Sequence, residues 1–326
     1  MKASSSLKSP HILLMALSIF SIACCILLMK SSKPTGGNDG TVASQYSNSK
    51  SNELVQVLRR ASMEDGTVIL TTIFDEAWTR PGSVLGLFLK SFQIGQGTKR
   101  LLNHLVIVTL GSQAFQNCNC LHPHCFQLRP FGSRKGPLAL DNLVIQRNTN
   151  NLLLQVLDLG YSFIFTEADV MWLRTPIVHI HPSYEITIPC NLHSEDSQNR
   201  SNKPGRGLFY VKSNAVSIEL FKYRKVWGTL YPNSHVKSLC EALKEQQDVI
   251  EMLGVRIQYL NATYFGGFCQ GDSREIRQVY TLQANCCDNV EDKVHDLKLV
   301  LEDWINFRAQ SFNISLGKRA PTKCIA

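Results

Sequence analysis

A chain of 326 residues that is 44% hydrophobic and 18% charged has the apolar material for a sizeable core, which excludes a disordered or fibrous protein. Its net charge of +8 favours an anionic partner such as a nucleotide, an acidic polymer or a membrane surface. No concentrated run of lysine and arginine accompanies that charge, so nucleic acid is not an expected partner.

Residues 12–29, ILLMALSIFSIACCILLM, carry no charge. As a helix they would extend roughly 27 Å, close to the thickness of a bilayer core. The expectation is an uncleaved transmembrane signal-anchor at 12–29 behind a cytosolic tail at 1–11, with a cleaved signal peptide as the alternative. Lys2 and Lys8 precede the span and Lys30 and Lys33 follow it, so the flanking charges do not set its orientation. Sequons at Asn199, Asn261 and Asn313, and a body rich in cysteine, favour an oxidising lumen for everything after the span. Outside the span the cysteines are Cys118, Cys120, Cys125, Cys190, Cys240, Cys269, Cys286, Cys287 and Cys324. That number is odd, so at least one thiol is free or paired between chains.

Residues 30–64 open with a Ser-, Gly- and Asn-rich stretch and read as a flexible stem, with a short helix around Glu53–Arg60. The β-branched run Thr67–Ile73 predicts a buried strand, Leu85–Phe92 a helix, and His104–Leu110 a second buried strand. Residues 140–159 show helical spacing at Leu153, Val156 and Leu157, with Gly160 placed as a C-cap. Strands follow at Tyr161–Thr166, Ile186–Pro189 and Leu208–Val211. Val294, Leu297, Leu301, Trp304 and Ile305 trace one face of a last helix. Apolar strands that do not alternate, interleaved with helices, predict an α/β fold with a mostly parallel sheet covered on both faces.

At the end of the third predicted strand stand Glu167 and Asp169, in the segment TEADVMWLRTP. Ligands of open α/β sheets bind beyond the carboxyl ends of the strands. Two carboxylates there suit a hard divalent cation, Mn or Mg, that could hold a diphosphate. The plainer reading is an exposed Glu167 and an Asp169 that caps the next turn.

The wider segment GYSFIFTEADVMWLRTP resembles the metal-site segment of the plant nucleotide-diphospho-sugar transferase family, which includes rhamnogalacturonan xylosyltransferases and extensin arabinosyltransferases. Further blocks agree in order: GTVILTTI with Ala77-Trp78, LFLKSFQIG, LLNHLVIV, HPHC, FYVKSN, QDV, YFGGFCQ, ANCC and HDLKLVLEDW. The resemblance implies a GT-A-like domain over 65–315 with a tail at 316–326. It also implies a Golgi-type single-pass type II topology and retaining transfer of a sugar, pentose foremost, from a UDP-sugar to a cell-wall glycan or glycoprotein acceptor. On the same resemblance Asp169 is the direct metal ligand with Glu167 beside it. Thr71 and Thr72 lie near the nucleotide base, and Gln247 and Asp248 near the sugar or the reacting carbon. Gly207 approaches the nucleotide sugar, and Gly266 and Gly267, in FGGF, form a loop near the active site on family position, the plainer reading being a turn between strand and loop.

The chain departs from the family pattern at four places. It has Glu167 for the usual Asp, Gln283 for a His, Gly205-Arg206-Gly207 for Asn-x-Gly, and Glu245-Gln246-Gln247-Asp248 for His-Asp-Gln-Asp. These changes keep a second reading open, a catalytically weak protein that binds nucleotide or glycan or scaffolds a Golgi enzyme complex. Elsewhere, CNCLHPHC at 118–125 has poor zinc spacing and is expected to hold a disulfide, while Cys286 and Cys287 each bond elsewhere. The four tryptophans read mainly as core. Asp296 reads as a helix-end charge, and His295 as a weak substitute for the missing His.

Overall fold

The computed structural model describes residues 52–128, 142–190, 207–231, 238–261, 264–268, 276–287, 289–309 and 321–324. The expected anchor at 12–29 and the sequons at Asn199 and Asn313 lie outside them, and no helix among the described residues is long and apolar enough to cross a membrane. The compact body begins at Asn52. Helix α1, over 52–61, buries Leu54, Val57, Leu58 and Ala61, so residues up to 64 are not all stem: the apolar face of this helix is part of the core.

Seven strands form the main sheet: β1 (Thr67–Ile73), β2 (Leu105–Leu110), β3 (Cys125–Leu128), β4 (Ser162–Thr166), β6 (Ile186–Pro189), β7 (Leu208–Val211) and β8 (Ile257–Leu260), in the order β3-β2-β1-β4-β7-β6-β8. Only β7 runs against its neighbours; the other pairings are parallel. Along β1, Val68 and Leu70 belong to one core and Ile69 and Ile73 to another, and Val106 and Ile107 divide likewise on β2. The sheet has a core on each face, which is why its strands are apolar without alternation. A second sheet, β5-β10-β9, joins Val170–Trp172 (β5) antiparallel to Thr281–Gln283 (β10), which pairs parallel with Phe265–Gly267 (β9).

Helix α2 (Val84–Ile94) and the long helix α8 (Val290–Ala309) contribute to the core on one face. Helices α4 (Asn142–Asp158) and α5 (Ala215–Leu230) contribute to the other, while α3 (Ser112–Leu121) follows β2. Gly160, at φ +86°, closes α4 as the spacing predicts: its N–H donates to Leu157 O and that of Tyr161 to Val156 O. On α8, Leu297, Val300, Leu301 and Trp304 are buried but Ile305 is exposed, so the apolar stripe turns away one residue earlier than the periodicity suggested.

Disulfides Cys118–Cys125, Cys190–Cys240 and Cys287–Cys324 brace the body, with Cys240 carried on the short helix α6 (Leu239–Glu245). Cys286 is also bridged, and Cys120 is a free, exposed thiol among the described residues. His122 of the CNCLHPHC run is buried with Nε2 2.6 Å from Leu105 O, which fixes the turn into β3. Asp296 does not serve its own helix end. Buried on α8, it accepts the backbone N–H groups of Thr322, Lys323 and Cys324, so residues 321–324 belong to the body rather than to a separate tail.

Ahead of β6, Glu185 is buried and accepts Arg256 Nη2 at 2.8 Å, Arg256 Nε at 3.2 Å and the Arg256 backbone N–H at 2.8 Å. The Arg256 side-chain bonds hold the carboxyl at about 2. A depressed carboxyl stabilises the fold fully above its unfolded value near 4.5 and loses that contribution as pH falls toward 2. Glu185→Gln should therefore cost on the order of 2 kcal/mol near pH 7, allowing for screening at the exposed Arg256. Urea titrations across pH should show the gap between wild type and variant closing as pH falls.

Candidate functional site

A cavity of about 980 Å³ opens at the carboxyl ends of the central strands, lined by Thr72 from β1, Leu110 from β2 and Phe165 from β4. The strand order 3-2-1-4 reverses direction of winding between β1 and β4, the place where open α/β sheets bind ligands. Polar groups of α4 (Gln146, Thr149, Asn150) and the start of α3 at Gly111-Ser112 complete much of the wall. Trp78 lines it too, whereas Trp172 and Trp304 are core and Trp227 stacks between Tyr223 and Tyr231.

The loop bearing the acid pair is fixed from three sides. Thr166 Oγ1 accepts the Trp172 indole N–H at 3.1 Å, Glu167 N donates to Gly207 O at 2.7 Å, and Ala284 N donates to Asp169 O at 3.1 Å. Glu167 faces the cavity. Asp169 points away from it, with its side chain only 3% exposed. Its Oδ2 accepts Lys293 Nζ from α8 at 2.5 Å, and its Oδ1 accepts Gln283 Nε2 at 3.3 Å. The same Gln283 Nε2 donates to Glu167 Oε2 at 2.5 Å, and Gln283 Oε1 accepts Gly207 N at 3.2 Å. Lys293 also sits over the Trp78 ring, 4.8 Å from its centroid.

This arrangement does not fit a divalent cation held as the resemblance implied. Both oxygens of Asp169 are engaged by the chain's own donors, and an ammonium already balances its charge. No group of three or more His, Cys, Asp or Glu among the described residues is placed to hold a metal. Lys293 was not visible as a site residue because it is far from the acid pair in sequence and lies on an ordinary amphipathic helix.

The other expected site residues separate. Thr72 reaches the cavity but Thr71, the next residue on the strand, points into the core and off the wall. Gln247 and Asp248 are exposed on the first turn of α7 (Gln247–Leu253) and do not line the cavity; the buried neighbour is Gln246. Gly266 and Gly267 are not a loop but strand β9, paired with Leu282 and Gln283. His295 is exposed and away from the acid pair's partners. Asn261 is exposed at the end of β8. Arg224, not singled out by the sequence reading, lines the cavity with Nε and Nη1 buried and without hydrogen-bond partners among the described residues. Its signal was a charge in an apolar stripe: Leu220, Phe221 and Gly228 are buried on α5, and Arg224 falls on the same face.

The profile of the nucleotide-diphospho-sugar transferases matches residues 100–297. The uncharacterized protein At4g15970 of Arabidopsis thaliana is 34% identical over 78% of this chain and 68% of its own length. This chain belongs to the nucleotide-diphospho-sugar transferase family. A second Arabidopsis thaliana relative, the uncharacterized protein At1g28695, is 32% identical over 80% of each chain. Among solved structures, a glycosyltransferase involved in glycosylating the major capsid of PBCV-1 is 9% identical over 71% of this chain and 98% of that one, with a TM-score of 0.43. Mouse xyloside xylosyltransferase 1 is 10% identical over 68% of this chain and 98% of that one, at 0.35.

Gly207 is what lets Gln283 reach the acid pair in this family member. A Cβ there would stand 2.7 Å from Gln283 Nε2 and 2.8 Å from Val170 Cγ2. Gly207→Ala should lower stability by about 1–3 kcal/mol through overpacking. Adding Gln283→Ala should recover part of that loss in urea titrations, because one of the two clashes is removed; strictly additive losses would refute the contact.

Proposed function

We propose that this protein is a GT-A-like glycosyltransferase that moves a sugar, a pentose in this reading, from a UDP-sugar to a cell-wall glycan or glycoprotein. The supporting observation is the large cavity at the carboxyl ends of β1, β2 and β4 in a chain of the nucleotide-diphospho-sugar transferase family. In transfer, the anomeric bond to the β-phosphate oxygen breaks and the acceptor hydroxyl makes the new carbon–oxygen bond, releasing UDP and a proton. Retention of configuration is part of the reading. Glu167, the member of the acid pair that faces the cavity, accepts hydrogen bonds from hydroxyls of the donor. The polar wall from Gln146 to Asn150 suits a ribose and base, and Trp78 offers an apolar face to a sugar ring. Asp169, committed to Lys293, does not hold Mn or Mg in this reading.

In the same reading residues 12–29 anchor the protein in the Golgi membrane with its body in the lumen, where the disulfides form. Exposed Gln247 and Asp248 favour the second reading, a binding or scaffolding member of a Golgi enzyme complex, since they leave the cavity without the catalytic pair that the resemblance assigned.

The test is UDP release by the full-length protein across a panel of UDP-sugars, with and without oligosaccharide acceptors. A transferase should turn over at least one donor, and Glu167→Ala should slow it by about tenfold or more, the effect of losing a charge-assisted hydrogen bond. Binding of UDP without turnover of any donor would favour the scaffold.

A further inference from the structure

Two features of the cavity region have no place in ordinary metal-assisted donor binding. One is the internal neutralisation of Asp169 by Lys293, in a site whose side chains are 3% and 12% exposed. The other is Arg224. Its guanidinium Nε and Nη1 are buried at the cavity wall with no hydrogen-bond partner among the described residues. Folding a cation into such a place is unfavourable unless something supplies the missing acceptors. The three carboxylates on the same wall do not: Asp75 caps the turn at Ala77, Glu167 is bonded to Gln283, and exposed Glu76 accepts from neither Arg224 Nε nor Nη1. Burial draws the Arg224 guanidinium down to about 10, which leaves it charged at neutral pH.

We propose that Arg224 is the resident counter-charge for the diphosphate of the nucleotide sugar, and that donor binding needs no divalent cation. The proposal rests on the nucleotide-sugar reading given above. A planar guanidinium presents paired N–H donors that match two phosphate oxygens, and it does so without the dehydration that a metal ion requires. A ligand oxygen would satisfy the donors that the fold leaves unbonded. Lys293 complements Arg224 by neutralising Asp169 behind the cavity wall, so that carboxylate adds no net negative charge to the region.

The experiment is calorimetric titration of the full-length protein with UDP and with uridine, each in EDTA and in Mn, for wild type and Arg224→Met. Wild type should bind UDP with the same affinity in both buffers to within about threefold, a difference under one decade of binding constant. Arg224→Met should weaken UDP by about tenfold or more and leave uridine unchanged, as expected when a charge-assisted bond to phosphate is lost. The variant should also melt no lower than wild type without ligand, because an unpartnered buried charge has been removed; this separates loss of binding from loss of fold. UDP binding that requires Mn, or that is unchanged in Arg224→Met, would overturn the proposal and leave the nucleotide-sugar reading intact. If wild type binds UDP in neither buffer, both fall.

Discussion

A carboxylate almost sealed from water must be matched in charge and in hydrogen bonds, and Asp169 sets that demand for the whole of this region. Its partners, Lys293 on α8 and Gln283 at the end of β10, both lie far down the chain, and the N–H of Ala284, next to Gln283, holds the Asp169 backbone carbonyl. Meeting the demand draws the small sheet against the loop after β4 and docks the first turns of α8 beside Trp78. Gly207 then has no freedom to be anything larger, because Gln283 occupies the space of its missing side chain. A pattern of residues that reads as a metal site is here the junction between two sheets and a helix.

The same junction divides labour between two acids that look equivalent in sequence. Residues two apart on an extended segment share a side, yet the turn after Thr166 breaks that regularity and sends Glu167 to the cavity and Asp169 to the interior. The cavity side retains polar groups with unfilled bonding capacity, as expected where a fold trades some stability for recognition. On the interior side both Asp169 oxygens are committed, to Lys293 and to Gln283. The open cavity thus lies along the wall formed by β1, α4 and α5, and the Asp169–Lys293 ion pair in the region behind it.

Much of the main sheet was legible in the sequence because its strands are buried on both faces. Thr67–Ile73, Ile186–Pro189 and Leu208–Val211 emerge with the bounds that their β-branched and aromatic runs suggest. Gly160 was readable for a local reason, since only a left-handed residue closes a helix in that manner. The small sheet was not legible. Its strands are three residues long, and one of its two pairings, β5 with β10, joins segments more than a hundred residues apart, so no local period announces them. Residue roles at the site were harder still. Thr71 and Thr72 are adjacent and alike, and only the pleat decides which one meets the cavity. Asp296 looked like a helix-end charge because its partners, residues 322–324, lie far down the chain.

The free thiol of Cys120 gives α3 a chemical consequence. Cys118, two residues earlier on the helix, is buried in its bridge to Cys125, while Cys120 is exposed. Two residues along a helix turn a side chain through about 200°, so the thiol and the bridge face opposite ways. Disulfide exchange needs a thiolate to approach a bridge sulfur directly, and the helical phase withholds that approach. Should the last turn of α3 unwind, the barrier goes with it, and Cys125 could change partners from Cys118 to Cys120. The covalent pairing of this corner is thus guarded by the helical order of a single turn.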